Sequence, residues 1–384
     1  MIEKELENRL KELNIEADYN NAMQLGTKLI LNATYGAFGN EYFVLSNQYI
    51  AGAITAMGRD LIQYMDDAAS RYAHDVWHVD YELHEKLGLR GSPDRLDDSV
   101  VVVVYCDTDS AFFSFKKMYD SVRDICDLDP ETFIHLCYEH RIRDYFVEKL
   151  DEYAARYGVK NIQDFELERI NESILFTAKK MYIQHVRWED GRKYDRMDYI
   201  MIKGLTLVRG GTPKFAREKI YEIVKYLMFN SESYTLKSLL KFVRDMKKEF
   251  ELADINDICE SVSLNNYEQK VVDDKNEIKY VEGDVYYMIK AAAYYNYMLN
   301  QNAEYKKVYE PLRNGMKMLT YPVQNGLEKR FAFIKDMYPK EFAPEPDYDE
   351  LFLKTVLNQV NTLVKALGLP ELTKRLSVVM SLFD

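Results

Sequence analysis

Val100-Val-Val-Val-Val104-Tyr105-Cys106-Asp107-Thr108-Asp109-Ser110-Ala111-Phe-Phe-Ser-Phe115 is the stretch on which the reading of this chain turns. Its β-branched run lacks helical spacing and predicts a strand buried on both faces. A second apolar run, Ala111 to Phe115, follows after a short polar break, so the segment reads as a hairpin whose turn carries two carboxylates. Carboxylates this close repel, and apolar flanks lower the local dielectric and raise the cost. A divalent cation resolves that cost, because hard Mg²⁺ prefers carboxylate oxygens and keeps positions open for phosphate. Asp and Ser also suit turns for conformational reasons alone. The spacing by itself leaves a plain turn and a metal site both open.

On the N-terminal side, residues 1–20 read as an amphipathic helix with Ile2, Leu6, Leu10 and Leu13 at three-to-four spacing. A second helix runs from about Asn21 to Tyr35 and is stopped by Gly36 and Gly39. It carries Lys28, Asn32 and Tyr35 at i, i+4 and i+7, on one stripe. A lysine, an amide and a phenol so arranged can hold a triphosphate, orient a base pair and test its minor-groove edge. An ordinary half-exposed helix face has the same pattern. Tyr49 to Arg71 is a further helix, and Gly88 to Ser99 a loop.

On the C-terminal side, Pro130 to Tyr157 is helical and strand-like segments alternate from about Phe165 to Val208. With Ala178 to Val186 as a strand, Lys180 and Tyr182 share a face. Lys179, Lys203 and Arg209 lie in the same basic region. Lysine and tyrosine interleaved in this way suit a duplex backbone, and a sheet edge guarded by lysines would look alike. Thr212-Pro213 is a helix start, with Thr as N-cap and Pro at the first helical position. Beyond it the chain reads as mostly helical, apart from an irregular stretch near Pro311 to Pro346. The expected class is α+β: a short helical piece, an α+β middle to about residue 210, and a helical C-terminal domain.

Length and charge bound these readings. The 384 residues suggest two to three domains with a sizeable core. The four cysteines (Cys106, Cys126, Cys137, Cys259) show no C-x-x-C spacing, against a disulfide framework or zinc ribbon. His74 and His78 have the i, i+4 spacing of metal ligands but no third ligand placed by sequence. No apolar run approaches the roughly 20 residues of a membrane span, and Met1 to Leu13 is no signal peptide; the expectation is a soluble, intracellular protein. The net charge of −12 argues against nucleic acid as a partner. Its distribution argues the other way: eleven basic and five acidic residues lie between Leu175 and Lys219, against seven and fourteen between Asp120 and Leu175. A basic tract in an acidic chain suits one surface facing a polyanion, or simply a solvated charged face.

The order of these pieces resembles the family B DNA polymerases. Lys28, Asn32, Tyr35 and Gly36, then Ile54-Thr55 with Gly58-Arg59, then Tyr105 to Ser110, then Lys179-Lys-Met-Tyr182, then Lys203-Gly204 match that family's K-x3-N-S-x-Y-G (motif B), I-T-x-x-G-R, Y-G-D-T-D-S (motif C), K-K-R-Y and K-G. Pro311 to Lys317, Leu319 to Pro322 and the final Ser381-Leu-Phe-Asp384 are similar to the thumb and clamp-binding tail of T-even phage replicative polymerases. The resemblance implies two-metal nucleotidyl transfer to a primer 3′-hydroxyl. Asp107 and Asp109 would be the catalytic carboxylates and ligands of two Mg²⁺ ions. Lys28, Asn32 and Tyr35 would bind the dNTP; Lys179, Lys180, Tyr182, Lys203 and Arg209 would grip primer–template DNA. Glu168 would support the metal ligands from behind, and Leu382 and Phe383 would bind a sliding clamp. Residues 1–36 would be partial fingers, 37–210 the palm with its small antiparallel sheet, and 211–384 a mainly helical thumb.

Departures from the pattern are instructive. Ala33, Cys106 and Met181 replace the family's Ser, Gly and Arg. Motif A, D-x-x-S-L-Y-P, should precede motif B and supply the other metal-binding Asp, yet no match to it lies before Lys28. The exonuclease motif is missing too. The expectation is therefore the C-terminal subunit of a split polymerase, bacteriophage-encoded and acting in the host cytoplasm. A separate N-terminal chain would carry the exonuclease and motif A and share the Mg²⁺ ions. The alternative is a catalytically inactive, polymerase-like scaffold that binds DNA or a clamp, for which a repulsive Asp pair has no evident use.

Overall fold

A computed structural model describes residues 2–107, 110–195, 199–205, 210–230, 235–272, 277–281 and 283–376. The chain divides into two compact units, residues 1–167 and 168–384. Both mix helices with small antiparallel sheets, which is the expected α+β class.

The first unit opens with helix α1 (Ile2–Phe38), then α2 (Gln48–Arg71). The expected break between two N-terminal helices is absent: α1 runs unbroken past Asn20-Asn21 and through Gly36, and Gly39 closes it by donating to the Gly36 carbonyl. Asn47 starts α2 by accepting from Tyr49 and Ile50 backbone N–H, both at 3.1 Å, a cap worth about 1 kcal/mol. A π turn at Tyr72–Val76 and a 3₁₀ turn continue α2, and α3 (Tyr81–Lys86) follows, capped by Asp80. Strands β1 (Val103–Asp107) and β2 (Ser110–Phe113) form the expected hairpin, with Cys106 opposite Ala111 and Asp107 opposite Ser110. It is shorter than the apolar run, and it is not buried on both faces as expected: Val101 and Val104 are exposed, Val102 alone of the run is buried, and the ladder is irregular between Val103 and Tyr105. Helices α4 (Lys116–Asp120), α5 (Pro130–Cys137) and α6 (Arg143–Ala155) complete the unit, with a second π turn at Tyr138–Ile142 joining the last two. The core gathers Tyr72, Trp77, Leu83, Met118 and Phe133 around Val102, the residue that leads into β1.

The second unit starts with β3 (Arg169–Ala178), β4 (Met181–Glu189), β5 (Arg192–Lys193) and β6 (Ile200–Lys203), where β4 pairs with each of the other three. Helix α7 (Lys214–Phe229) begins after Pro213, which holds the cap position expected of Thr212. Then come α8 (Leu236–Leu252), whose Thr235–Ser238 capping box satisfies its first turn, and the short α9 (Ile255–Ile258). Strand β7 (Glu260–Ser263), α10 (Tyr267–Lys270), the small pair β8 (Val271–Val272) and β9 (Lys279–Tyr280), α11 (Tyr287–Asn300) and α12 (Tyr305–Val308) follow. Strands β10 (Lys317–Pro322) and β11 (Arg330–Phe333) join β7 in a three-stranded sheet, β11-β10-β7, where the sequence reads as helix and irregular chain. Helices α13 (Tyr348–Phe352) and α14 (Asn358–Ala366), linked by a third π turn at Leu353–Leu357, end the described structure. Val224, Val243, Phe250, Tyr295, Phe331 and Val356 sit at the centre of one continuous core.

Candidate active site

The hairpin presents Asp107 at the end of β1, half-buried, with the Ser110 hydroxyl donating to the Asp107 carbonyl at 3.2 Å. Tyr105 and Phe112 pack across the ladder with ring centroids 6.0 Å apart, so the polar turn stands on an aromatic base. Asp109 lies outside the described residues. Helix α2 contacts both strands and contributes Asp66, which the sequence reading missed. Burial, and then the neighbouring Asp67 charge, hold the Asp66 carboxyl above its ordinary range. Burial also pushes the Cys106 thiol up, with Asp66 adding to the shift. The only available signal was Arg59, Gln63 and Asp66 at helical spacing, a pattern any exposed helix face shares.

Carboxylate oxygen beside a hydroxyl-bearing turn fits a hard divalent cation such as Mg²⁺ in donor type. In number it falls short: among the described residues no three His, Cys, Asp or Glu side chains gather where they could hold a metal. Asp107 is one donor of an incomplete set. Neither His74 nor His78 forms such a group.

Lys28, Asn32 and Tyr35 do share one stripe, because α1 is continuous through all three, and all are exposed. The helix is exposed on nearly every side: Leu6, Leu10, Leu13, Met23, Leu29 and Ile30 all face solvent.

In the second unit the expected face-sharing of Lys180 and Tyr182 is not found. Lys179 and Lys180 form the tight turn between β3 and β4 rather than part of a strand, and Lys180 has a φ of +63°. The lysines therefore sit at the tip of the ladder that buries Tyr182, which is 5% exposed and packed on Phe176 at 5.8 Å. Tyr182 pairs with Lys203, whose Nζ lies 5.5 Å from the Tyr182 ring centroid, within cation–π reach. The structure thus brings Lys179, Lys180, Tyr182 and Lys203 together. Glu168 is held by Arg169 at 3.3 Å and belongs to this unit, whereas Asp107 belongs to the first. Arg209, Leu382 and Phe383 lie outside the described residues.

DNA polymerase family B matches residues 1–131, which takes in Lys28 through the hairpin. Over these residues the chain is similar to the family B DNA polymerases. It is 28% identical over 213 residues to the DNA polymerase catalytic subunit of Human herpesvirus 6B, covering 55% of this chain and 18% of that protein. It is 25% identical over 227 residues to the DNA-directed DNA polymerase of Escherichia phage RB69, covering 54% and 22%. It is 24% identical over 264 residues to that of Enterobacteria phage T4, covering 68% and 28%. The chain thus spans 18% to 28% of the length of these relatives. T-even phages are one of several groups among them. No helix among the described residues is long and apolar enough to cross a membrane.

Proposed function

We propose that this chain is the C-terminal subunit of a template-directed DNA polymerase that adds nucleotides to a primer 3′-hydroxyl, with the motif A carboxylate supplied by a separate chain. The observation that carries the reading is the polymerase motif order ending in a hairpin that presents Asp107 at its turn. Asp107 and Asp109 would hold Mg²⁺, which when bound lowers the pKa of the attacking hydroxyl and offsets charge on the triphosphate. Lys28 binds the triphosphate as a point charge, while Asn32 and Tyr35 line the nascent base pair. Lys179, Lys180, Lys203 and Arg209 contact duplex phosphates, which fix register without reading sequence. Tyr182 anchors their turn, Glu168 supports the metal ligands from behind, and Leu382 and Phe383 engage a sliding clamp. Residues 1–36 then act as part of the fingers, 37–210 as palm and 211–384 as thumb, in the cytoplasm of an infected host cell.

Support for a partner chain comes from α1, whose apolar side chains lie in solvent along about 55 Å of helix. Apolar surface on that scale marks an interaction face. The hairpin adds to this: among the described residues it is a two-stranded sheet, and two strands alone are marginally stable and leave an edge open to a further strand. Primer extension by the purified chain, alone and with a chain bearing motif A, tests the proposal. Extension only in the mixture, abolished by Asp109→Ala with primer–template binding retained, is expected. Robust extension by the chain alone would refute the split arrangement, and no extension in the mixture would favour an inactive scaffold.

A further inference from the structure

The turn carrying Lys179 and Lys180 is shaped by a residue 24 positions away from Lys180. Gly204 follows β6 directly and has a φ of +76°, and Lys180 itself has a φ of +63°. Both values lie where residues with a β-carbon are uncommon. A β-carbon on Gly204 would collide with the Lys180 carbonyl oxygen, and would stand 3.1 Å from both the Lys180 carbonyl carbon and Met181 Cγ. The obstacle is mainly backbone, so it cannot swing aside. On the other side of the turn, the Thr177 hydroxyl donates to the Met181 carbonyl at 3.1 Å. The Tyr182–Lys203 pairing fixes the ladder immediately behind. The turn is therefore clamped from two sides, by Thr177 within its own hairpin and by the bare backbone of Gly204 from the neighbouring strand.

We infer that Gly204 is a positioning residue for duplex binding: its missing side chain lets β6 close on the Lys180 carbonyl and so fixes the backbone from which Lys179 and Lys180 reach for phosphates. The inference rests on the proposed role of those lysines. A lysine reaches a phosphate from many backbone positions, but two lysines reach two adjacent phosphates together only when the backbone between them is held. Loosening the turn should therefore reduce the number of phosphates neutralised, which is read as the slope of binding against salt.

The test is fluorescence anisotropy of the full chain on a short primer–template duplex, across a salt series, with thermal melts alongside. Gly204→Ala should weaken binding about tenfold and make the log–log salt slope shallower by about one. Thr177→Val, which keeps Gly204 and introduces no collision, should shift affinity and slope in the same direction by a smaller amount; it also serves if Gly204→Ala does not fold. A merely structural role would lower the melting temperature and leave the slope of the folded fraction unchanged. The Lys179→Ala/Lys180→Ala double variant reports on the underlying reading. If it weakens binding while Gly204→Ala, or Thr177→Val in its place, keeps the wild-type slope, the inference is overturned and the lysines' role stands. Wild-type binding that the double variant does not alter, or no duplex binding by the chain at all, would remove the lysines' role and the inference with it.

Discussion

Leu10→Glu separates an interface from a merely exposed helix. Leu10 is 61% exposed and sits with Leu6 and Leu13 on one stripe of α1. In the free chain the substitution replaces one good helix former with another in solvent, so stability should stay within about 0.5 kcal/mol. In a complex that covers the stripe, the effect is different. Full burial of a leucine side chain contributes about 1.5–3 kcal/mol, so covering the exposed share contributes about 1–2 kcal/mol. Placing an unpaired carboxylate there adds at least about 2 kcal/mol of desolvation cost. The total of about 3–4 kcal/mol corresponds to about a hundred- to thousandfold loss of affinity. Isothermal titration of the chain against a chain bearing motif A reads this directly, with far-ultraviolet circular dichroism as the check on the helix. A dissociation constant within threefold of wild type would refute α1 as the interface. A large loss of stability in the free chain would show instead that the stripe packs on this chain's own surface.

Three further outcomes follow from the same geometry. Lys28→Ala should raise the nucleotide KM of the assembled enzyme by about ten- to a hundredfold with little change in DNA affinity, since one charge-assisted contact contributes about 1.5–3 kcal/mol; steady-state kinetics at varied dNTP checks it. Asp80→Ala removes a side chain that accepts from Arg141 at 3.0 Å, Tyr72 at 3.1 Å and the Leu83 backbone at 3.3 Å. Because Arg141 is partly exposed, the cost in urea unfolding should be about 2–3 kcal/mol rather than that of a fully buried pair, and Arg141→Met in the same chain should recover part of it. Burial raises the folded-state pKa of Asp66, so its ionised form opposes folding above that pKa and the opposition fades as pH falls through it. Asp66→Asn should raise the melting temperature by about 1–2 °C at neutral pH, with the gain shrinking toward acid pH; a constant gain at every pH would assign it to packing instead.

The hairpin and the long helices, though not the unbroken length of α1, were legible because their signals are local. A β-branched run beside a polar break needs no distant partner to be read, and Asn47, Asp129 with Pro130 and Thr235 start their helices by contacts within three residues. The sheet β11-β10-β7 was not legible. Leu319, Tyr321, Phe331 and Phe333 are buried on strands enclosed on both faces, so no alternation betrays them, and β7 meets β10 across more than fifty residues of chain. The lysine turn failed for a related reason: its conformation depends on Gly204, whose closeness only the folded ladder creates. At the site, the two-carboxylate turn was readable, whereas Asp66 was not, because its pKa shift arises from burial against strands that lie far along the chain.

The π turns carry a consequence for how these helices tolerate length changes. In each, the chain advances five residues where an α-helix would advance four, as when the Trp77 amide reaches back to the Tyr72 carbonyl. Tyr72 and Trp77 are both fully buried, as are Cys137 and, to within 2%, Ile142 across the second such turn. Losing one residue from Tyr138–Ile142 would let α5 and α6 merge into a single regular helix with better hydrogen bonds. It would also rotate everything after the join by about 100°, swinging Tyr145, Leu150 and Tyr153 away from the surfaces they now fill. Here the more regular helix would belong to the less stable protein, and the extra residue acts as a phase corrector between two stretches of side chains that must face the same way.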